Sequence, residues 1–319
     1  MARNREILSV ELQQSQYQGA LLGLAVGDAL GAPLKFKDRN TPAVKDMTAG
    51  GPLHLGIGTW TDDTSMALCL AASLLEKGTF DAFDQLTRYN KWRRDGYLSS
   101  IGTCIDLSST MRAALDKFEE TQALECGGKT REWADNDVIS RLAPIPMLYA
   151  SKPNEAIELC RASAKTTHGA IQALDAATYM GAILTGILRG DSKEKVLSVL
   201  YNPFGDDWTD HSFCDEIAQL ATGSFHADTP QAITGDGFVG ETLEAALWAF
   251  YRSNDFETGA ILAVNLGGDA DTTGAVYGQL AGAYYGVHAI PKRWRDAVIQ
   301  KDLIVALADR LWQAAKKKM

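Results

Sequence analysis

A chain of 319 residues, 46% hydrophobic and 22% charged, has the composition of a globular protein and can bury a large core, as one big domain or two small ones. Its formal net charge of −9 argues against non-specific nucleic-acid binding, whose affinity comes from neutralising phosphates. A nucleotide ligand stays open, because a bound metal ion inverts local charge. The first residues, Met1-Ala2-Arg3-Asn4-Arg5, lack a signal-peptide apolar region. The run from Ala20 to Gly27 ends at Asp28 and is too short to cross a membrane, so no membrane association is expected. Cysteines 69, 104, 126, 160 and 214 form no CxxC pair, which predicts reduced thiols and a cytoplasmic location. His211 and Cys214 lack a second ligand pair, so a zinc site is not expected.

Taken in chain order, the expected elements are helices. An apolar stretch carries Gly19, Gly23, Gly27 and Gly31 at every fourth position, a spacing that lets two helix backbones approach closely. A loop over 40–59 precedes a helix over 65–76, and a second loop occupies 126–136. Helical periodicity returns over 155–164 and 170–189, followed by loops at 201–210 and 226–237. Further helices are predicted at 241–252, 257–265, 272–285 and 301–315. The helix at 272–285 repeats the glycine period at Gly274, Gly278, Gly282 and Gly286. No convincing period-2 strand and no Pro- or Ser-rich linker interrupts the pattern. The expectation is an all-α, compact multi-helix domain over 15–319 with an N-terminal extension at 1–14.

Two acidic segments stand at the starts of apolar helices. One is Thr61-Asp62-Asp63-Thr64; the other is Asp269-Ala270-Asp271-Thr272, preceded by Gly267-Gly268. Threonine is an ordinary N-cap and aspartate suits a first helical turn, so either segment alone could be capping. Two such sets in one chain point to hard-cation binding, because carboxylate and hydroxyl oxygens without Cys or His are what Mg²⁺ or Mn²⁺ accepts. Asp28 reads as a support for this site through hydrogen bonds, or as a simple cap. The paired glycines let the backbone approach a ligand.

The motifs GALLGLAVGDALGAPL (19–34), GTWTDDTSMAL (58–68), Thr167-His168, GDGFVGETLEAALWAF (235–250) and NLGGDADTTGAVYGQLAGAYYG (265–286) together resemble the ADP-ribosylglycohydrolase family, in order and spacing, over residues 15–290. The resemblance implies an all-α fold with a binuclear Mg²⁺ (or Mn²⁺) site in a central cleft. The matching ligands are Thr61, Asp62, Asp63, Asp269, Asp271 and Thr272. It also implies hydrolysis at ribose C1″ of an ADP-ribosyl linkage, most often to arginine, with Asp62 or Asp271 taking the proton of the attacking water. Asp106 matches a residue near the acceptor and His168 one near the ribose. Asn136, Asp137 and Val138 match a diphosphate-side loop, and Gly235, Gly237, Phe238 and Val239 match a loop near the nucleotide, beside Gly267 and Gly268. The implied partner is an ADP-ribosylated protein or an ADP-ribose-like small molecule, and a monomer is expected.

Two positions depart from the family pattern. Lys35 stands where the family carries a glutamate, so its charge either points away from the cations or replaces part of theirs. Asp137 stands where a small residue is usual, and its carboxylate would repel a diphosphate. These departures leave two other readings open: an ADP-ribose-binding or transferase-blocking protein with little turnover, and a hydrolase of another ADP-ribose-like substrate.

Overall fold

The computed structural model describes residues 11–39, 43–204, 208, 212–228 and 230–319; His211 and most of the expected extension lie outside them. Among the described residues there are no strands, only isolated bridges. The α-helices in chain order are α1 (Gln14–Gly31), α2 (Asp62–Lys77), α3 (Ala82–Asp95), α4 (Ser109–Thr121), α5 (Asp137–Ser140), α6 (Pro144–Tyr149), α7 (Pro153–Lys165), α8 (Ile171–Leu188), α9 (Lys193–Val196), α10 (Asp215–Ala221), α11 (Val239–Arg252), α12 (Phe256–Val264), α13 (Ala270–Tyr285), α14 (Lys292–Ala297) and α15 (Lys301–Lys316). The expected all-α single domain is what forms, and the seven expected helices each appear within a few residues of their predicted bounds.

The organising contact is between α1 and α13, which run antiparallel at the centre and join the two ends of the chain. Gly19, Gly23 and Gly27 face Gly282, Gly278 and Gly274, so closely that a Cβ on any of them would overlap the facing carbonyl. Gly31 meets Ala270 in the same way. The expected glycine ridges therefore interlock, with one exception: Gly286 ends α13 at φ 78 and packs against Ser15. It serves as the helix stop that a positive φ favours.

α8 is long and apolar enough to cross a membrane, but 89% of it is buried in the protein, as a core helix would be. The main core gathers side chains from α1, α6, α8, α11, α13 and α15. A second cluster joins Met66 and Cys69 of α2 to Tyr89 and Trp92 of α3 and Met111 and Phe118 of α4. The cysteines form no disulfide.

Candidate active site

Both acidic segments begin helices, as expected, and neither uses its side chains as caps. Thr61 is the N-cap of α2 and Asp269 that of α13, without a side-chain cap bond in either case. The capping of α2 comes instead from Asp28 on the neighbouring α1. Its carboxylate accepts from the backbone N–H of Thr61 at 3.0 Å and of Thr64 at 3.2 Å, and from the hydroxyls of Thr61 at 3.0 Å and Thr64 at 2.6 Å. Asp28 thus supports the loop and caps the helix at once, leaving Asp62 and Asp63 free of that duty. Both oxygens of Asp63 are buried, with the Ser140 hydroxyl close by but directed at the Asp137 carbonyl at 3.1 Å.

The second segment meets the first across the interlocked helices. Asp63 and Asp271 lie together with Asp28, and Asp62 and Asp63 lie with Asp137; within each trio the ligand oxygens are within 4.8 Å of one another. Thr272 is buried in the first turn of α13. Asn136, expected at the diphosphate, orients Asp269 instead: its amide donates to Asp269 Oδ2 at 2.7 Å and to the Thr242 hydroxyl at 3.0 Å.

Lys35 points into this centre. Its Nζ lies 2.6 Å from Asp106 Oδ2, 2.7 Å from Asp269 Oδ1 and 3.1 Å from Asp271 Oδ2. The Asp106 and Asp269 contacts are at ion-pair distance without hydrogen-bond geometry, while both Asp271 oxygens accept hydrogen bonds. Asp106 adopts φ 61, a left-handed conformation that aspartate tolerates better than most residues. Gly267 and Gly268, at φ 78 and φ 61, let the Lys37 and Gly235 backbones approach closely, and Gly268 also lines the cavity beside Asp269. Gly268 exchanges hydrogen bonds with the Lys35 loop, donating to the Lys37 carbonyl at 3.0 Å and accepting from the Phe36 N–H at 2.6 Å.

The remaining expected residues divide. Asp137 turns inward: Ser108 Oγ donates to its Oδ2 at 2.6 Å, and its carboxylate belongs to the trio with Asp62 and Asp63. Val138 is wholly buried in the core. His168 is also wholly buried, its Nδ1 2.8 Å from the Thr167 hydroxyl and its Nε2 without a partner. The 235–239 loop lies against the second segment, since the Asp269 N–H donates to the Gly235 carbonyl at 2.7 Å. Gly237 has φ 99, Phe238 is partly exposed beneath the Arg131 guanidinium, and Val239 opens α11. A cavity of about 580 Å³ opens beside Asp269 between this loop and Phe36, Lys37 and Arg39.

Electrostatically the centre is a crowd of buried carboxylates. Burial raises the pKa of Asp62 and Asp63 well above the usual range, and neighbouring carboxylates add to it: Asp137 for Asp62, Asp28 for Asp63. Burial and Asp135 raise Asp137. Burial lifts Asp28 to about 6 against its four hydrogen bonds to the threonines. Burial opposes the Lys35 ammonium, but Asp271, Asp269 and Asp106 outweigh it and hold the lysine charged. Beside that cation Asp269 falls below the usual range, whereas Asp271, more deeply desolvated, stays above it. Buried oxygens, oxygen-only donors and carboxylates crowded by their own repulsion fit a hard divalent cation. Asp62, Asp63 and Asp137 would hold it.

Sequence reasoning missed Ser108 and Asp135, which brace Asp137: the Asp137 N–H donates to Asp135 Oδ1 at 3.1 Å. The alternation Asp135-Asn136-Asp137 repeats the Asp269-Ala270-Asp271 pattern and could have flagged a third acidic segment. Arg141 was missed as well. It is buried over the Tyr89 ring and bonded to the Thr167 hydroxyl, and nothing in its local sequence signals this.

A family model described as ADP-ribosylglycohydrolase matches residues 9–319. A protein of Serratia proteamaculans described as "ADP-ribosylarginine hydrolase Tri1" is 36% identical over 301 residues, covering 94% of this chain and 80% of the relative. The "ADP-ribosyl-[dinitrogen reductase] glycohydrolase" of Rhodospirillum rubrum is 29% identical, covering 91% of this chain and 95% of its own. A solved structure described as "ADP-ribosylglycohydrolase-related protein complex" superposes with a TM-score of 0.83 at 43% identity, covering 95% of this chain and 98% of that one. With its helical core, its paired acidic segments and a match over nearly its whole length, the chain belongs to the ADP-ribosylglycohydrolase family and is a hydrolase.

Proposed function

We propose that the chain removes ADP-ribose from an arginine side chain of a modified protein by hydrolysing the N-glycosidic bond at ribose C1″, with Mg²⁺ as its cation and Mn²⁺ as a substitute. The observation that carries this reading is the meeting of two distant acidic segments around the fully buried carboxylate of Asp63. The Serratia and Rhodospirillum relatives support the substrate class through the activities in their names.

When bound, a divalent cation supplies Lewis-acid charge that fixes ribose hydroxyls and polarises water. The protein's own residues do the rest. Asp28, through Thr61 and Thr64, fixes the loop that presents Asp62 and Asp63. Asn136 fixes Asp269. Departure of the acceptor from C1″ builds positive charge on the ribose, which these carboxylates stabilise. Asp62 suits the role of proton acceptor, since it makes no contact with Lys35 among the described ion pairs. Asp271, the other sequence candidate, is paired with the ammonium. The cavity beside Asp269 lies within the volume range of small-ligand sites.

Turnover of ADP-ribosyl-arginine, with and without Mg²⁺ and EDTA, tests the reading. Release that needs the cation and disappears in Asp62→Ala supports it. Tight ADP-ribose binding with no release would favour the binding-protein alternative, and release only from another ADP-ribose conjugate would move the substrate.

A further inference from the structure

We propose that the Lys35 ammonium is a resident cation that occupies one of the two cation positions implied by the family resemblance. This chain then holds a single divalent ion, among Asp62, Asp63 and Asp137. The proposal rests on the metal-dependent reading above and specifies how that site is filled.

Three carboxylates from two separate segments, Asp106 on one and Asp269 and Asp271 on the other, converge on Lys35 Nζ at 2.6, 2.7 and 3.1 Å. Such a convergence of oxygens from remote parts of a chain is what a hard cation collects. Here a covalently tethered ammonium already collects it, and Lys35 is 8% exposed. A divalent ion ligated by the same oxygens at its usual ~2.0–2.6 Å would sit against the ammonium in a water-poor centre, where like charges repel strongly.

The other side of the centre is arranged differently. Of the two acidic trios, the one formed by Asp28, Asp63 and Asp271 has its oxygens largely committed. Asp28 accepts four hydrogen bonds from Thr61 and Thr64, and Asp271 accepts from Lys35. In the trio of Asp62, Asp63 and Asp137, Asp63 is fully buried with only the Ser140 hydroxyl beside it, and Asp137 accepts from Ser108 at Oδ2 and lies against the Asp135 carboxyl. No cation side chain reaches this trio among the described ion pairs. Lys35 and Asp137, the two departures from the family pattern, thus face the same centre from its two sides. One brings a fixed positive charge to the second acidic segment; the other adds a carboxylate to the first.

The test is a count of Mn²⁺. Metal-stripped wild-type chain, Lys35→Ala and Lys35→Met are dialysed against MnCl₂, and bound manganese is measured by mass spectrometry and by electron paramagnetic resonance. Wild type is expected to bind one Mn²⁺ with the six-line spectrum of an isolated ion. Folded Lys35→Ala or Lys35→Met is expected to bind two, with the broadened spectrum of a coupled pair. Asp137→Asn is expected to weaken the wild-type ion about tenfold or more. Two coupled ions in the wild type, or a single ion in both folded Lys35 variants, would overturn the proposal while leaving metal dependence intact. No bound manganese in any variant would overturn the metal-dependent reading itself.

Discussion

Replacing Gly27 with alanine sets two known effects against each other. Alanine is the better helix former by about 0.5–1 kcal/mol, so local propensity alone predicts a more stable protein. The packing predicts the reverse. A Cβ at Gly27 would overlap the carbonyl group of Gly274 on α13, and backbone cannot rotate aside as a flexible side chain would. Overpacking of this kind costs about 1–3 kcal/mol; with backbone on both sides the upper part of that range applies, leaving a net loss of about 2 kcal/mol. An unfolding entropy near ~2.1 cal/mol/K per residue over 319 residues makes this a fall in Tm of about 3 °C. Gly56→Ala is the control, since a Cβ there meets nothing closer than the Thr59 hydroxyl at 3.6 Å. Differential scanning calorimetry of metal-free wild type, Gly27→Ala and Gly56→Ala decides the matter. A Tm for Gly27→Ala equal to or above wild type would refute the claim that α1 and α13 interlock backbone to backbone.

Asp63→Asn is expected to abolish cation-induced stabilisation: at a hundred times its Kd, Mg²⁺ should stabilise wild type by about 2.7 kcal/mol, whereas the variant's melting curve should not move. Lys35→Glu removes one partner of a buried ionic cluster, so the metal-free protein should lose about 3–5 kcal/mol while its Mg²⁺-dependent rate on ADP-ribosyl-arginine rises; an unchanged or lower rate would show that position 35 is not the site of a lost catalytic group. Because Asp28, Asp62, Asp63 and Asp137 have raised pKa values in the fold, the metal-free protein binds more protons than the unfolded chain between the ordinary carboxylate range and those raised values. Their contribution is therefore gained as pH falls through the folded pKa and lost as pH rises through it. Cation binding must displace those protons, so the Tm increase caused by Mg²⁺ should be larger near about pH 7.5 than near about pH 5; an equal or reversed difference would contradict the assignment.

The fold was legible wherever periodicity was strong. The glycine period exposed α1 and α13, and apolar 3.6-residue patterns exposed α2, α7, α8, α11, α12 and α15 within a turn. α3 escaped because its sequence, AFDQLTRYNKWRRD, is mostly polar and buries only Gln85, Leu86, Tyr89 and Trp92. α6, PIPMLY, begins with two prolines and reads locally as a loop. α2 begins at Asp62, where the acidic segment marked its start, but the carboxylate that caps it, Asp28, comes from another helix and cannot be seen in the local sequence. The acidic segments themselves were plain. Their wiring was not: Lys35 pairs with Asp271, 236 residues away, and only the tertiary fold decides whether such a lysine points inward. Asn136 and Asp137 bond to Asp269 and Ser108, partners that the local sequence does not announce. Their local sequence fixes a short helix start, not the direction in which the carboxylate turns.

The central claim is hydrolysis at ribose C1″, and mass spectrometry of a peptide ADP-ribosylated on arginine tests it most directly. After incubation with the wild-type chain and Mg²⁺, the account predicts recovery of the unmodified arginine peptide together with intact ADP-ribose. The same mixture with EDTA, or with Asp63→Asn, should leave the peptide modified. A peptide that keeps ribose 5-phosphate on its arginine would place the cleavage at the diphosphate and contradict the account.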